Sequence, residues 1–464
     1  MDKSIIYKFI LLFFLLFLVA IIGQNMGFNP QQTLAAIIFS ASVFATLLFW
    51  DFRLAIAFLG VAILLLTKVI DLENLIKFSS LEVILFLIGM MVLVGLLKEI
   101  GFFAWLVTLI LRIKKLTAKK FVLAIGILSA LLACAVDEVT SIIFMVAAIL
   151  EICDYFEVDP SPYVIISVLA TNIGSTGTVL GNPIGILIAS KSGLTFEDFI
   201  FKAFPLMLIC LFTVLSLVIF WFRKAHKELD KKMQELMDNE LFIKLISVPP
   251  EKQLQFGLGI FGLTILGIAL HHRLELLFKL ETNTLLLSIP LISAGLVMIW
   301  RHNKARKYIE KDVEWWTLIF FLLLFANAGT LKYTAVTDII AKGVLNLVKQ
   351  SHSLLLGLIL WISAFGSSIL DNVVLVVAFI PIIQSFRDLG LGLQPLWWAL
   401  LFGGCIGGNI TLIGSTANIV ALGILEKERK IKINFWRWLA IGFTTSVISI
   451  SIIWLALLFL PIYR

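Results

Sequence analysis

Two pairs of polar residues interrupt long apolar stretches of this sequence. Asp137 and Glu138 interrupt the first stretch, and Asp371 and Asn372 interrupt the second. A charged side chain within an apolar stretch of membrane-spanning length is costly, so it marks an ion or substrate pathway more often than simple packing. The carboxylates could bind an alkali cation or a proton. The alternative is a purely structural role, because Asp is a common N-cap that satisfies the free N–H groups at a helix start.

Two further segments, residues 172–183 and 407–418, are dense in Gly, Thr, Ser and Asn. A continuous apolar helix would not concentrate these residues at its centre, so the pattern predicts unwound backbone there. Unwound backbone at membrane depth is tolerated only against protein or a water-filled cavity. Its carbonyls, with Thr and Ser hydroxyls and Asn amides, are the oxygen ligands that a hard cation prefers. Close packing of helices through small residues is the alternative.

The composition places these segments in a membrane protein. The chain has 464 residues, of which 60% are hydrophobic and 14% charged, whereas a soluble domain carries about a quarter charged residues. The net charge of +7 comes from short basic clusters between apolar runs, which is typical of cytoplasmic loops. The four cysteines are scattered, so no disulfide scaffold is expected. We expect a multi-pass protein of the lipid bilayer, in a bacterial plasma membrane, with no nucleic acid as a partner.

The apolar runs predict an all-α polytopic protein with about 11 transmembrane helices. Positive-inside bias places four basic clusters in the cytoplasm. Each interrupted stretch must then enter and leave the membrane on the same side, as a re-entrant hairpin, and the N-terminus is cytoplasmic. The charged segment 223–253 is expected to form an amphipathic interfacial helix without chemistry of its own. The clusters are Arg112, Lys114, Lys115, Lys119 and Lys120; Arg223, Lys224, Lys227, Lys231 and Lys232; Arg301, Lys304, Arg306 and Lys307; and Lys427, Arg429, Lys430, Lys432 and Arg437.

The sequence also contains an internal repeat. The constant shift that places Gly95 on Gly329 also places Asp137 on Asp371, and after a single-residue deletion it places Thr178 on Thr411. In the predicted topology the two copies run in opposite senses, and inverted repeats of this kind place ion and substrate sites near the bilayer midplane. The predicted organisation is N-terminal scaffold spans over 1–75, a first inverted repeat over 76–222, a cytoplasmic segment with two linking spans over 223–312, and a second inverted repeat over 313–464.

These motifs resemble those of the ion transporter superfamily, in particular the branch of arsenite permeases, NhaD-type sodium–proton antiporters and the melanosomal P protein. Residues 86–95 (FLIGMMVLVG) resemble the span that opens each repeat of that branch. Asp371-Asn372 matches its Leu-Asp-Asn hairpin tip, and residues 407–418 (GGNITLIGSTAN) are close to its Gly-Gly-Asn-x-Thr-x-Ile-Gly-Ala-x-Ala-Asn signature. The resemblance implies two inverted repeats, each with a re-entrant hairpin and a broken helix, in a homodimer.

The resemblance also implies a set of binding residues. Two positions depart from the branch: Glu138 stands where Asn is usual, and residues 182–185 read NPIG where Asp-Pro-Pro-Asn is more common. The first-repeat site is therefore expected to bind differently. No cofactor is expected, with Na⁺ and H⁺ as transported or coupling ions and Na⁺ near Asp137, Asp371, Asn372 and Asn418. The ligands carried over are Asp137, Thr140, Thr178, Asn182, Asp371, Asn372, Thr411, Ser415, Thr416 and Asn418, and Glu138, Asn172, Thr176 and Asn409 of the same segments complete the candidates.

The function that these features favour is secondary active exchange of Na⁺ for H⁺ by alternating access. Carboxylates that lie close together cannot all stay ionised, so a cation and protons would compete for one site. Export of arsenite or antimonite is the closest alternative, followed by transport of another small ion. A carboxylate-rich site argues against a di- or tricarboxylate substrate unless bound cations neutralise it. A passive channel and an intramembrane aspartyl protease are disfavoured, the protease because its Gly-x-Gly-Asp motif is absent, and an enzyme is not expected.

Overall fold

The computed structural model describes residues 3–111, 113, 116–236, 252–349 and 351–463. Over these residues the chain forms helices and turns and no strand. An apolar helix satisfies all its backbone hydrogen bonds internally, which is what the hydrocarbon of a bilayer requires. The predicted all-α architecture is confirmed. The helices are α1 Lys3–Asn25, α2 Pro30–Leu48, α3 Arg53–Leu66, α4 Leu72–Phe78, α5 Leu81–Glu99, α6 Phe102–Leu111, α7 Ala118–Ala135, α8 Glu138–Tyr155, α9 Ser161–Gly174, α10 Pro183–Ser192, α11 Phe196–Trp221, α12 Arg223–Leu236, α13 Lys252–Phe278, α14 Thr284–Trp300, α15 His302–Asp312, α16 Trp315–Tyr333, α17 Val336–Leu347, α18 His352–Ser367, α19 Asn372–Asp388, α20 Gln394–Gly407, α21 Thr416–Arg429 and α22 Phe435–Phe459.

Eight of the described helices are long and apolar enough to cross a membrane, and two bent helix pairs raise the number to as many as ten. Helix α3 has only 14 residues, and the pairs α9–α10 and α20–α21 are each interrupted by non-helical backbone. These three elements make the number of spans depend on how short and broken helices are counted. The total of eleven, the side of the N-terminus and the domain boundaries stay predictions.

The two halves of the chain repeat the same helix bounds. The shift that places Asp137 on Asp371 makes α5 over 81–99 coincide with α16 over 315–333. The shift that places Thr178 on Thr411 makes α9 over 161–174 coincide with α20 over 394–407. The predicted hairpins are the pairs α7–α8 and α18–α19, and their tips lie at Asp137 and Asp371, each directly before the second helix of its pair.

In each repeat, one glycine allows the broken helix to pack closely against the first helix of the hairpin in the same repeat. A Cβ on Gly174 would clash with the Ala130 carbonyl oxygen, and a Cβ on Gly407 would clash with the Ala364 carbonyl oxygen. No other residue permits such a close approach of two backbones. These glycines are equivalent positions of the two repeats, so the same packing places the start of each unwound segment beside a hairpin.

The short helix before each repeat packs on the opening helix of the other repeat. Phe78, at the end of α4, occupies the space that a Cβ on Gly329 of α16 would need. Asp312, at the end of α15, lies 3.0 Å from the corresponding position on Gly95 of α5. The shift that relates the two glycines also relates Phe78 to Asp312. The halves are therefore interlocked through equivalent contacts.

Helix α12 is the charged helix expected in segment 223–253. It docks on the membrane helices because the Ala118 N–H donates to Asp230 Oδ1 at 2.6 Å and the Tyr163 hydroxyl donates to the Ala225 carbonyl at 3.3 Å. Leu229 and Met233 form its buried face. The rest of that segment up to residue 251 lies outside the described residues, as do Arg112, Lys114 and Lys115 of the first basic cluster.

Candidate functional site

Both hairpin-tip aspartates cap the helix that follows them. Asp137 Oδ1 accepts a hydrogen bond from the Thr140 N–H at 2.8 Å, and Asp371 Oδ1 accepts one from the Val373 N–H at 3.0 Å. The second oxygen of Asp371 accepts a hydrogen bond from the Thr416 hydroxyl at 2.7 Å. Capping is therefore part of what these side chains do, and a hydrogen bond from a backbone N–H does not by itself neutralise a carboxylate.

Glu138 joins the two hairpin tips. Its Oε1 accepts a hydrogen bond from the Asn372 amide at 3.1 Å, and its Oε2 accepts one from the Asn182 amide at 3.3 Å. The side chain is 3% exposed, and the charges of Asp371 and Asp137 act on it. Glu138 thus links the first tip, the second tip and the start of helix α10.

Asp137, Glu138, Asn182 and Asp371 line a cavity of about 470 Å³, whereas Asn372 does not. None of Asp137, Glu138 and Asp371 forms an ion pair with a described residue. The cavity wall carries six acidic and three basic side chains, so it favours cations. The candidates on this wall are Asp137, Glu138, Thr140, Asn182, Asp371 and Thr416, and the other charged residues are Asp51, Arg53, Lys98, Lys311, Asp312 and Glu314.

Four candidates form a separate, fully buried amide network between the two broken helices. The Asn172 amide donates to Asn409 Oδ1 at 2.7 Å and to Asn418 Oδ1 at 2.8 Å. The Ser415 hydroxyl donates to Asn172 Oδ1 at 3.0 Å. The Asn418 amide donates to the carbonyls of Gly408 and Thr411, each at 2.8 Å. These side chains satisfy one another's hydrogen-bonding groups. In this conformation they therefore connect the two repeats.

Three threonine hydroxyls are likewise bonded to backbone. Thr176 donates to the Ile173 carbonyl at 2.7 Å, Thr178 to the Cys134 carbonyl, and Thr411 to the Ser368 carbonyl. The last two are the same contact in the two repeats, and each ties an unwound segment to a hairpin tip. None of these three threonines lines the cavity, and neither does Asn418.

A cation bound at this site would need neutral oxygens as well as carboxylates. Among the described residues, no three side chains of Asp, Glu, His and Cys are grouped so that they could hold a metal ion. Hydroxyl oxygens of Thr140 and Thr416 on the same wall would have to share the coordination. Joint coordination of Na⁺ by Asp137, Asp371, Asn372 and Asn418 stays a prediction, and so does the ligand role of each candidate.

Sequence reasoning missed Arg53 and Glu314, which line the same cavity. Arg53 begins helix α3, where the pattern Trp50-Asp51-Phe52-Arg53 between two apolar runs is typical of an ordinary loop. Glu314 directly precedes helix α16 and is typical of a solvated helix start. The sequence did offer one indication for Glu314. Helix α16 opens the second repeat, so a residue directly before it is expected near the same repeat interface as the hairpin tips.

Comparison with known proteins fits this architecture. The profile of the citrate transporter family matches residues 47–403. An uncharacterized transporter of Mycobacterium tuberculosis is 28% identical over 372 residues, which cover 80% of this chain and 84% of that protein. A 46 kDa membrane protein of Mycobacterium leprae is 28% identical over 410 residues, covering 85% and 91%. The human P protein is 26% identical over 451 residues and is covered over 54% of its length.

A solved structure shares the fold. The YdaH transporter of Alcanivorax borkumensis, whose crystal structure shows an unusual topology, matches with a TM-score of 0.54 at 15% identity, over 87% of this chain and 90% of that one. The predicted resemblance to ion transporters is thus confirmed at that coarse level, whereas the arsenite permease and NhaD-type branch is not singled out. The match over residues 47–403, with these transporter relatives, shows that the chain belongs to the citrate transporter family, and that it is a membrane-embedded secondary transporter and not an enzyme.

Proposed function

We propose that this transporter exchanges Na⁺ for H⁺ at the cavity lined by Asp137, Glu138 and Asp371. One observation carries the proposal: three carboxylates of the two hairpin tips face one cavity, and no described cationic side chain is paired with any of them. Three negative charges in one cavity are unfavourable unless a cation or protons neutralise them. A bound Na⁺ then takes the place of one or more bound protons, which is what exchange requires.

The geometry supplies a reason for coupling across the repeat interface. Asp137 and Glu138 belong to the first hairpin, whereas Asp371 belongs to the second. A cation held by both tips binds only when the tips are together, as they are where the Asn372 amide contacts Glu138. Release would follow from relative movement of the repeats, which changes the side of the membrane to which the site is open.

Co-transport of a cation with a carboxylate anion such as citrate is the second candidate. The family takes its description from citrate, and Arg53, Lys98 and Lys311 line the same cavity as the carboxylates. An anion alone would be repelled by the six acidic groups. This candidate therefore also requires a cation bound first, and it differs from exchange in the direction of the coupled fluxes.

Proteoliposomes with the purified protein and an internal pH dye distinguish the two. Antiport predicts that an inward Na⁺ gradient alkalinises the lumen without any added anion, with Li⁺ substituting better than K⁺. Co-transport predicts cation-dependent uptake of labelled citrate and no alkalinisation when citrate is absent. Arsenite is added as a third substrate. Proton flux that ignores Na⁺, Li⁺ and K⁺ would overturn the proposal.

A further inference from the structure

Arg53 is a nearly buried arginine that forms no ion pair with a described residue. It is 6% exposed, and its Nε has no hydrogen-bond partner among the described residues. The guanidinium lies 3.7 Å from the centre of the Trp50 ring and 4.9 Å from the centre of the Phe320 ring. Buried arginines are normally paired with a carboxylate. This one is held by two aromatic rings instead.

The position of Arg53 indicates which carboxylate could pair with it. Arg53 lines the cavity that holds the three carboxylates of the hairpin tips. Asp371 and Glu314 line the same cavity, and neither forms an ion pair with Arg53 in this conformation. The cavity thus holds a cation and an anion, Arg53 and Asp371, neither of which has an ion-pair partner among the described residues.

We propose that Arg53 is a tethered cation that competes with the transported cation for Asp371, an inference that rests on the proposed function. When Na⁺ occupies the site, the guanidinium rests on Trp50 and Phe320. When the site is empty and protons are scarce, it moves to Asp371 and supplies the positive charge that this buried carboxylate needs. The stacked position costs little to leave, because an aromatic face replaces only part of the attraction that a carboxylate offers.

The competition would set the affinity of the transporter. An internal cation lowers the apparent affinity for Na⁺ by the fraction of time that it occupies Asp371. It also lets the empty site change sides with its charge neutralised, so release of Na⁺ does not require a proton at every carboxylate. Helix α3, assigned to the N-terminal scaffold by the sequence, would then contribute a specificity-determining residue to the site.

Na⁺ titrations of the purified protein test this inference, by isothermal calorimetry and by Na⁺-driven proton flux in proteoliposomes. Arg53→Gln should lower the half-saturating Na⁺ concentration at least threefold, and Arg53→Lys should lie between Arg53→Gln and the unmodified protein. Arg223→Gln is the matched control, because Arg223 also stacks on an aromatic ring, Phe220, but lies outside the cavity. It should leave the half-saturating concentration unchanged.

A variant with the opposite effect protects the test against simple misfolding. Trp50→Leu removes the better of the two stacking surfaces, so the guanidinium should spend more time at Asp371 and the half-saturating Na⁺ concentration should rise. An unchanged or higher half-saturating concentration in Arg53→Gln would overturn the inference. The inference would also be overturned if Arg53→Gln bound Na⁺ normally but lost citrate uptake, because Arg53 would then be an anion ligand. Absence of any Na⁺ binding by the unmodified protein would overturn the proposed function itself, and this inference with it.

Discussion

The Asn372 amide donates a hydrogen bond of 3.1 Å to the Glu138 carboxylate, and these two residues occupy equivalent positions of the two repeats. The hairpin tips therefore meet through a pair of repeat-equivalent residues. In the branch that the motifs resemble, Asn is usual at the position of Glu138. The substitution keeps a hydrogen-bond acceptor for Asn372 and adds one negative charge to the first-repeat side of the cavity.

The added charge leads to a prediction for Glu138→Gln. Glutamine keeps the length and the acceptor oxygen of the side chain but removes a charge that repels Asp137 and Asp371. Removing one of three like charges in the cavity changes how strongly the site holds protons and cations, so the pH of half-maximal Na⁺-driven flux should differ from that of the unmodified protein by about half a unit or more. Flux measured between mildly acidic and mildly alkaline pH checks this. Glu157→Gln, at an exposed residue outside the cavity, is the control, and an unchanged profile in Glu138→Gln would leave Glu138 a structural residue.

Asp371 allows the capping role to be separated from ion binding. Asp371→Asn keeps the size and, since Asn caps about as well as Asp, the cap of helix α19. If the carboxylate carries the exchanged ion, Na⁺-driven flux should fall at least tenfold in a protein that folds normally, equivalent to about 1.4 kcal/mol in the barrier. The measurement is flux per folded molecule, with folding verified by thermal unfolding in detergent.

The control for that prediction is a second aspartate cap. Asp71 caps helix α4 through the Asn74 N–H at 2.7 Å and does not line the cavity. Asp71→Asn should therefore transport normally. Normal flux in both variants would show that the charge of Asp371 is not needed, and the exchange mechanism would lose its main support.

The hairpin tips could be predicted from the sequence because their residue types stand out from the surrounding apolar residues. Asp137 and Asp371 are charged residues in apolar surroundings, and the internal repeat makes each the equivalent of the other. Both facts are visible without coordinates. The structure places both residues as helix caps on one cavity. Capping is therefore observed, and the role in ion binding stays a prediction.

The amide network and Arg53 could not be predicted in the same way. Whether Asn172 faces an ion or the amides of Asn409 and Asn418 depends on side-chain directions in unwound backbone, and no periodicity specifies these. Arg53 lies between two apolar runs and has no counterpart in a motif. Its membership of the site follows from packing of helix α3 against α16, a contact between segments that lie far apart in the chain.

The network predicts a structural effect for Asn172→Ala. Removing this amide leaves the buried oxygens of Asn409 and Asn418 without the donor that both share, at a cost of about 1–3 kcal/mol for each unsatisfied group. The thermal unfolding temperature should fall clearly, while the half-saturating Na⁺ concentration of the folded fraction stays the same. Thr213→Ala, which removes an exposed hydroxyl bonded to its own helix, should change neither. A changed Na⁺ affinity with normal stability would instead make Asn172 an ion ligand.

His226 predicts a loss of stability at acidic pH. It lies in α12, outside the membrane-spanning helices, and is 4% exposed. Burial lowers its pKa and outweighs the Val218 carbonyl and the Asp230 carboxylate, which raise it. The unfolded or undocked helix takes up the proton more readily, so the docked state is fully stable above the usual His pKa of about 6.5 and loses stability as the pH falls below it. The protection of residues 223–235 against hydrogen exchange, expressed relative to the intrinsic exchange rate at each pH, should therefore fall below that pH, and His226→Leu should remove this loss of protection. Equal acid sensitivity in both proteins would contradict it.

The last prediction concerns a second, smaller cavity of about 210 Å³ whose wall includes repeat equivalents of several residues of the site cavity. Val94 lines the site cavity and Ala328, its equivalent in the other repeat, lines the smaller one. If the repeats exchange conformations during transport, opening of one cavity accompanies closing of the other. A cysteine at Val94 should then react fastest with a membrane-impermeant thiol reagent under conditions in which a cysteine at Ala328 reacts most slowly, and addition of Na⁺ should move the two rates in opposite directions. The background is low because all four native cysteines are buried, and the unmodified chain serves as the control. Rates that rise or fall together would show general loosening of the protein and would exclude this pair of cavities as the two faces of the transport pathway.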